Sequence, residues 1–520
     1  MPTMTITSTS RDLNVALVNS INVSGFAFHG LWRNSSGEGI VSIARGSALD
    51  VYPTRSIELR RYLRQKAYLI DGENERSRIL NDNALDSIIG TIDALCDLSD
   101  NEVNLSVRVA TGAGGEILVD GISNIYSITA DGWNITSIDR PIFKRSSGMK
   151  PLPEPVPGGD IHKVFEYLNI KDKSDRLLFL TYLVSSFVAD IPHPFGNFFG
   201  SQGAAKTTAM KVFTAIVDPN TVTDIHSASE NDFQIAASQR WVVCLDNVPD
   251  FTRKFSDYIC KVVTGASFIK RRLYTDDSMM AERFLRVVVA NGITVPAQRA
   301  DLLDRCLLFQ LERIERHLRK DEKTLFADFE TDRAQILGGC FDALSKAMAL
   351  LPTIEGSFNT RMADYGKWGC AIALALGYCR SDFEDALEKN NQRLNEESLD
   401  ASPIATVLDY IFLKAGSSGF RGSASDLLSG IRSCAESAGI EPRYLPSSPH
   451  AMGKKLVEIK ANLQSSQYFI EFVRGKERIW TICPPPSYAK DRSKYLNNSL
   501  SSISSGVTRA FSYNDKMTDL

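Results

Sequence analysis

The sequence predicts an α/β chain in three parts: a small α+β domain, a central α/β domain, and three helices closed by a β-hairpin. Three observations carry this. The stretch Phe198-Phe199-Gly200-Ser201-Gln202-Gly203-Ala204-Ala205-Lys206-Thr207-Thr208 sets a glycine-bearing turn between an apolar strand and a helix. Two later apolar runs, Trp241–Leu245 and Phe284–Ala290, each stop at a polar residue, Asp246 and Asn291. Pro151, Pro153, Pro155 and Pro157 stand at alternate positions, so no helix or inner strand passes through residues 151–159, which read as an extended linker.

Composition narrows the classes. A chain of 520 residues is long for one core, so two to four domains are expected. At 43% hydrophobic and 23% charged residues it is an ordinary globular protein. Its net charge of −3 excludes a bulk cationic nucleic-acid binder, so any contact with a polyanion has to be a local patch. The nine cysteines stand singly with no C-x-x-C pair, which argues against structural zinc and for small core residues. With no leader and no apolar run of about 18 residues, the chain is expected to be soluble and cytoplasmic, without membrane contact.

The Ser/Thr-rich residues 1–20 read as frayed. In the N-terminal domain, 1–150, a short β segment at Val41–Ile43 precedes a helix from Ser56 and a second at Asn83–Leu98, where Leu85, Ile88, Ile89, Ile92 and Leu95 recur at helical spacing. Strands follow at Val103–Ala110, Glu116–Asp120, Ile125–Thr129 and Trp133–Thr136. Arg60, Arg61 and Arg64 read as a solvated helix face, and no catalytic constellation is visible. After the linker, Asp160 caps a helical segment leading through Leu177–Val188 to the glycine turn.

Against the pattern G-x-x-x-x-G-K-[ST], Gly200, Lys206 and Thr207 match, and Ala205 stands where the second glycine is expected. Such a loop aims backbone N–H groups at phosphate oxygens; its lysine neutralises charge and its hydroxyl serves Mg²⁺. Gly200, Gly203, Ala205, Lys206, Thr207 and Thr208 are therefore the expected nucleotide-binding loop. Asp246, 40 residues after Lys206, ends the next strand where a carboxylate would share that Mg²⁺ with Thr207. Asn291 ends the strand after, where an amide orients water, and Arg305 follows in Arg299-Ala300-Asp301-Leu302-Leu303-Asp304-Arg305. Each has a plain alternative taken singly: a turn residue, a strand end, a surface ion pair. Their order, on one chain, argues for a nucleotide site.

At this point the chain resembles the AAA+ ATPases, and among them the initiators and helicases encoded by phages and mobile elements. The likeness covers about residues 160–380. It implies an AAA+ ATPase core with helical lid at 160–395, with Walker A at Lys206 and Thr207, Walker B at Asp246, sensor 1 at Asn291 and an arginine finger at Arg305. Arg361, in Asn359-Thr360-Arg361-Met362, is similar to a sensor 2 arginine or is an ordinary helix-start residue. The segment Thr264–Thr275 resembles a hairpin that points into a central channel; Lys270, Arg271 and Arg272 would meet a nucleic-acid backbone there, or pair with neighbouring subunits. Asn247 departs from the family, which places a glutamate there: an amide positions water but takes no proton. Turnover is then slow, or draws on Glu230, Asp232 or Asp250.

Helical spacing continues through Ile336, Leu337, Phe341, Leu344 and Met348, and the acidic, Asn-rich stretch Glu388–Ser402 reads as a linker. From 403 to 483 the pattern gives helices Ile404–Leu413 and Ser423–Ala438, a third near Pro449, and strands Tyr468–Val473 and Arg478–Ile482. This looks like a winged helix, whose third helix commonly enters the major groove. Residues 447–478 hold six Lys/Arg against three Glu, which is the local basic patch; Lys454, Lys455, Arg474 and Lys476 are its DNA-contact candidates. The Ser/Asn-rich tail, 487–520, lacks periodicity and is expected to be disordered.

The sequence thus leads to an ATP- and Mg²⁺-dependent DNA helicase or replication-initiation ATPase. It would act as a homo-oligomeric ring, a hexamer by resemblance, with single-stranded DNA in its channel and duplex at the winged helix. A nucleotide-gated assembly switch that unwinds nothing stands as the alternative.

Overall fold

The structure, a computed structural model, describes residues 28–45, 48–70, 82–99, 101–222, 229–248, 251–265, 267–271, 279–292, 300–315, 317, 319–400, 402–414, 419–474 and 478–486. It is a mixed α/β chain with several sheets. Two compact units divide it: the first holds 1–249, 257–294 and 309–384, the second 250–256, 295–308 and 385–520.

In the first unit, strands β1 (Gly30–Asn34), β2 (Gly39–Arg45), β3 (Ala48–Pro53) and β4 (Glu102–Val103) form one sheet in the order β3-β2-β1-β4. Helices α1 (Ile57–Ile70) and α2 (Asp82–Leu98) pack on it. Leu85, Ile89, Ile92 and Cys96 of α2 join Leu31, Val41, Leu59 and Leu63 in a buried cluster, which is the helical periodicity read from sequence. Arg60 and Arg64 pair with Asp86 and Asp82 at the surface, as a solvated face should.

A second sheet is the meander β5 (Val109–Thr111), β6 (Ile117–Asp120), β7 (Ile125–Thr129) and β8 (Gly132–Thr136). The single strand expected at Val103–Ala110 is broken. Arg108, just ahead of β5, takes φ +61, a left-handed conformation outside the β region, and its side chain is buried. There its Nε lies 2.9 Å from Asp218 Oδ1, and its other nitrogens donate to the carbonyls of Asp120, Lys150 and Pro219.

The proline-rich stretch is extended but docked. Val156 N donates to Ala334 O at 3.1 Å and Gly158 N to Asp342 Oδ2 at 2.7 Å. Asp160 then caps a short 3₁₀ helix by accepting from His162 N, as its sequence position indicates.

The central sheet is built from parallel strands. β9 (Phe195–Phe199) pairs with β13 (Val287–Gly292), which pairs with β10 (Val242–Leu245). All of their residues are buried, which explains their largely apolar character; Asn197 and Asn291 are buried polar exceptions. Helix α3 (Lys173–Ser185) packs beneath through Phe179 and Tyr182, whose rings meet Phe213 and Phe309. Gly196 is required because a Cβ there would lie 2.8 Å from the Tyr182 ring. Helix α4 (Lys206–Val217) follows β9, α5 (Glu230–Gln239) precedes β10, and α6 (Arg253–Thr264) follows it. Between α6 and β13, strands β11 (Ser267–Arg271) and β12 (Met279–Arg283) pair antiparallel, so the expected hairpin exists in the backbone. The side chains of Lys270 and Arg271, and the whole of Arg272, lie outside the described residues.

Helix α7 (Glu322–Leu350) is, among the described residues, the one long and apolar enough to cross a bilayer. Its apolar surface is taken by the domain instead: Phe329, Ile336, Leu337, Phe341 and Leu344 are fully buried. Helix α8 (Ala363–Ala375) packs on it.

The linker expected at Glu388–Ser402 is helical, the second half of α9 (Arg380–Asp400). Leu387, Asn390 and Leu394 recur at helical spacing and are buried, a pattern hidden in the sequence by the polar residue in the middle. In the second unit Asn390 Oδ1 accepts from Leu308 N at 2.9 Å and its Nδ2 donates to Cys306 O at 3.1 Å, both on β14 (Cys306–Gln310). A buried amide with both ends satisfied substitutes for an apolar residue.

The rest of that unit runs α10 (Pro403–Asp409), continued by a π turn; β15 (Phe420–Gly422); α11 (Ala424–Ala435); α12 (Pro449–Ser465); β16 (Phe469–Arg474); and β17 (Arg478–Cys483). Ser402, Ser423 and Ser448 cap the three helices, Ser423 in a full capping box with Asp426. The sheet order is β15-β17-β16, and Leu427, Leu456, Leu463, Ile470 and Ile482 form the core. Lys476 and residues 487–520 lie outside the described residues.

Candidate nucleotide site

The loop between β9 and α4 holds left-handed backbone conformations, two of them at glycines and one at Ala205, where the Cβ makes it strained. Gly200 has φ +154 and Gly203 φ +84; a Cβ on Gly200 would come 2.3 Å from Leu311 O. Ala205 takes φ +61, ψ +37 and is the N-cap of α4, without a capping side chain. The first N–H groups of α4 are therefore left for another acceptor.

Lys206 curls back on the loop, its Nζ donating to Gly200 O at 2.8 Å and to Ser201 O at 3.1 Å. Desolvation lowers its pKa. Thr207 Oγ1 donates to Asp246 Oδ1 at 3.2 Å. Asn291, buried at the end of β13, donates from Nδ2 to Thr207 Oγ1 at 3.2 Å and to Asp246 Oδ1 at 2.5 Å. Its Oδ1 accepts from Asn247 N at 2.7 Å. Thr207 from the first turn of α4 and Asp246 and Asn291 from the ends of two paired parallel strands thus close on one point, at the carboxyl edge of the sheet where α/β folds bind ligands.

Asn247 enters this cluster through its backbone. It has φ +52, a left-handed conformation that asparagine tolerates better than glutamate, and its side chain is exposed. Thr208 is half-buried in the first turn of α4. Glu230 and Asp232 stand in the first turn of α5, and Asp250 lies outside the described residues.

The two distal arginines are placed separately. Arg361 is exposed just ahead of α8. Arg305 belongs to the second unit and pairs with Asp301 at 2.8 Å. Sequence reading missed Arg319, whose Nη2 would lie 2.5 Å from a Cβ on Gly203. No motif marks it; its place comes from the chain's return to the loop after the central sheet.

In the C-terminal unit, Lys454 is exposed on α12, Lys455 pairs with Glu458 at 3.1 Å, and Arg474 lies 5.9 Å over the Phe472 ring at the end of β16. Lys454, Lys455 and Arg474 fall on one unit, which also exposes Val457 on α12.

The donor set suits a magnesium-bound nucleoside triphosphate: a lysine, a helix N-terminus with uncapped N–H groups, and a hydroxyl beside a carboxylate. Among the described residues no group of three or more His/Cys/Asp/Glu could by itself hold a metal ion.

Comparison with known proteins agrees with a role in replication. Residues 161–386 match the family model of the actinomycete integrative conjugative element replication protein, and residues 404–495 match that of the AICE RepA C-terminal domain. No curated protein matches. Solved apo structures of the NrS-1 C-terminal region align over 90% of this chain and 98% of theirs, at 11% and 12% identity and a TM-score of 0.37. A likeness at that score carries no argument.

Proposed function

We propose, from the match of residues 161–386 and 404–495 to the replication (RepA) models of actinomycete integrative conjugative elements, that this chain is an ATP-driven replication protein of such an element, working on DNA. The observation that carries this is the closure of Thr207, Asp246 and Asn291 on one point beside Lys206.

In this reading the loop N–H groups and Lys206 bind the phosphates, exchanging the carbonyls of Gly200 and Ser201 for phosphate oxygens. Thr207 and Asp246 would hold Mg²⁺, which supplies charge neutralisation to the phosphates when bound. Asn291 fixes both ligands and, through Asn247 N, the turn after β10; it is a positioning residue that can also orient water. Arg305 would act on the nucleotide of a neighbouring subunit and Arg361 on that of its own. The order of parallel strands, loop, Asp and Asn supports the AAA+ core, and helix-strand-helix-helix-hairpin order supports a winged helix in the second unit. Lys454, Lys455 and Arg474 there, with Lys270 and Arg271 on the hairpin, would contact DNA backbone in a hexameric ring.

The alternative, a nucleotide-gated assembly switch, is favoured by one observation: Asn247, not an acid, follows Asp246, and it is engaged through its backbone N–H. Steady-state ATP hydrolysis with and without single-stranded DNA, beside Lys206→Ala as a blank, separates the two. Stimulation by DNA that vanishes in the variant supports the motor. Hydrolysis indifferent to DNA overturns the motor and promotes the switch.

A further inference from the structure

After the central sheet the chain comes back to the phosphate loop and is tied to it at successive points. Leu311 N donates to Phe199 O at 2.9 Å, the Leu311 carbonyl sits under Gly200, and Ile314 N donates to Gly203 O at 3.2 Å. Arg319 Nε donates to Ile314 O at 3.2 Å, which anchors the guanidinium at one edge. Its Nη2 lies where a side chain on Gly203 would have to pass.

This arginine has no acidic partner among the described residues. Its neighbours are paired: Lys320 with Asp328 at 3.0 Å, and His317 with Glu315 at 3.4 Å. An arginine held by one carbonyl, its outer nitrogens uncommitted, lies over a loop whose own chemistry attracts anions. Guanidinium is the side chain best shaped to grip phosphate oxygens in pairs. The geometry also explains Gly203: its φ of +84 favours glycine, and any Cβ would push the guanidinium off the loop.

We propose that Arg319 is a second cationic ligand of the nucleotide's polyphosphate, supplied in cis by the segment that returns over the loop, and that it complements Lys206. The inference rests on the nucleotide-binding reading of that loop. It predicts that the contribution of Arg319 scales with phosphate charge and is absent for a bare nucleoside.

The test is equilibrium binding by the full chain of Mg·ATP, Mg·ADP and adenosine, read by displacement of a fluorescent nucleotide, for the unaltered protein, Arg319→Ala, Arg319→Gln, Arg319→Lys and Lys206→Ala. Loss of charge-assisted hydrogen bonds should weaken Mg·ATP about 10- to 100-fold in Arg319→Ala and Arg319→Gln, with Arg319→Lys between them and the unaltered protein. Adenosine affinity should not change. Should both neutral variants bind Mg·ATP within about twofold of the unaltered protein while Lys206→Ala loses it, the role of Arg319 is overturned and the site stands. Equal weakening of adenosine and ATP also overturns it, since that marks a structural effect. If the unaltered protein binds no nucleotide, both readings fall.

Discussion

Arg108 and Asp218, 110 residues apart in sequence, meet Nε to Oδ1 at 2.9 Å with side chains 0% and 1% exposed. The pair ties the N-terminal meander to the turn that follows α4. Asp218 is committed on its other side as well, its Oδ2 accepting from Trp241 N at 2.8 Å and Val242 N at 3.1 Å at the start of β10. The strand that ends in Asp246 is thus positioned at its far end by a carboxylate held by Arg108.

Removing one partner of such a pair leaves a buried charge unpaired, which typically costs about 3–5 kcal/mol. Arg108→Ala should therefore lower the unfolding free energy by roughly that amount, measured by urea denaturation. A loss below about 1 kcal/mol would show that water or a rearranged side chain compensates Asp218.

Asn291 links Thr207, Asp246 and Asn247 without offering a charge of its own. Asn291→Ala should lower ATP turnover by about 100-fold, the scale of losing one preorganised donor. Nucleotide affinity, set mainly by Lys206 and the loop N–H groups, should change far less. Phosphate release and nucleotide binding measured side by side would reveal the reverse pattern if Asn291 were a binding residue.

Asn247→Gly should keep nucleotide binding and stability within about 0.5 kcal/mol, because the contact to Asn291 runs through the backbone and glycine accepts φ +52. Asn247→Glu should destabilise by about 1 kcal/mol for the same backbone reason. Thermal melts of the two variants read the difference directly.

Gly338 on α7 faces the docked proline-rich stretch, and a Cβ there would lie 1.8 Å from Val156 O. Gly338→Ala must displace one of the two backbones, a loss of about 1–3 kcal/mol typical of overpacking. The change should appear as a lower melting temperature together with faster proteolysis at 151–159. An unchanged melt would mean that the stretch is not held by α7.

His193 is fully buried and meets the Trp241 ring edge-on at 5.5 Å. Burial pushes its pKa down to about 3 from an ordinary 6.5. Between those values the unfolded chain binds a proton that the folded one refuses, so stability falls as pH drops through that window. The slope approaches about 1.4 kcal/mol per pH unit. His193→Phe should lose about 2 kcal/mol less than the natural chain between about pH 7.5 and about pH 5, by urea denaturation at both.

Local chemistry was readable from the sequence wherever one residue type answers one local demand. Gly200, Gly203, Lys206 and Thr207 announced the loop because its dihedrals and charge restrict what can stand there. Asp160 marked a helix start because a residue there must accept a backbone N–H. Buried strands β10 and β13 were legible as apolar runs that stop at a polar residue, and β9 by its aromatic residues. Where a buried residue was polar, the pattern misled: Asn390 made a buried helix look like a linker, and Arg108 hid the break in a strand.

Only the tertiary structure decided which distant residues meet. The convergence of Thr207, Asp246 and Asn291, the commitment of Asn247 through its backbone, and the docking of 151–159 on α7 depend on strand register and helix packing. The same holds for Arg319 over Gly203, since an arginine in a polar stretch looks like any other until the chain's return path is known. Sequence determines local conformation because propensity, capping and periodicity act within a few residues. Hydrogen-bond geometry between strand ends is fixed by packing across the whole core, and no local pattern records it.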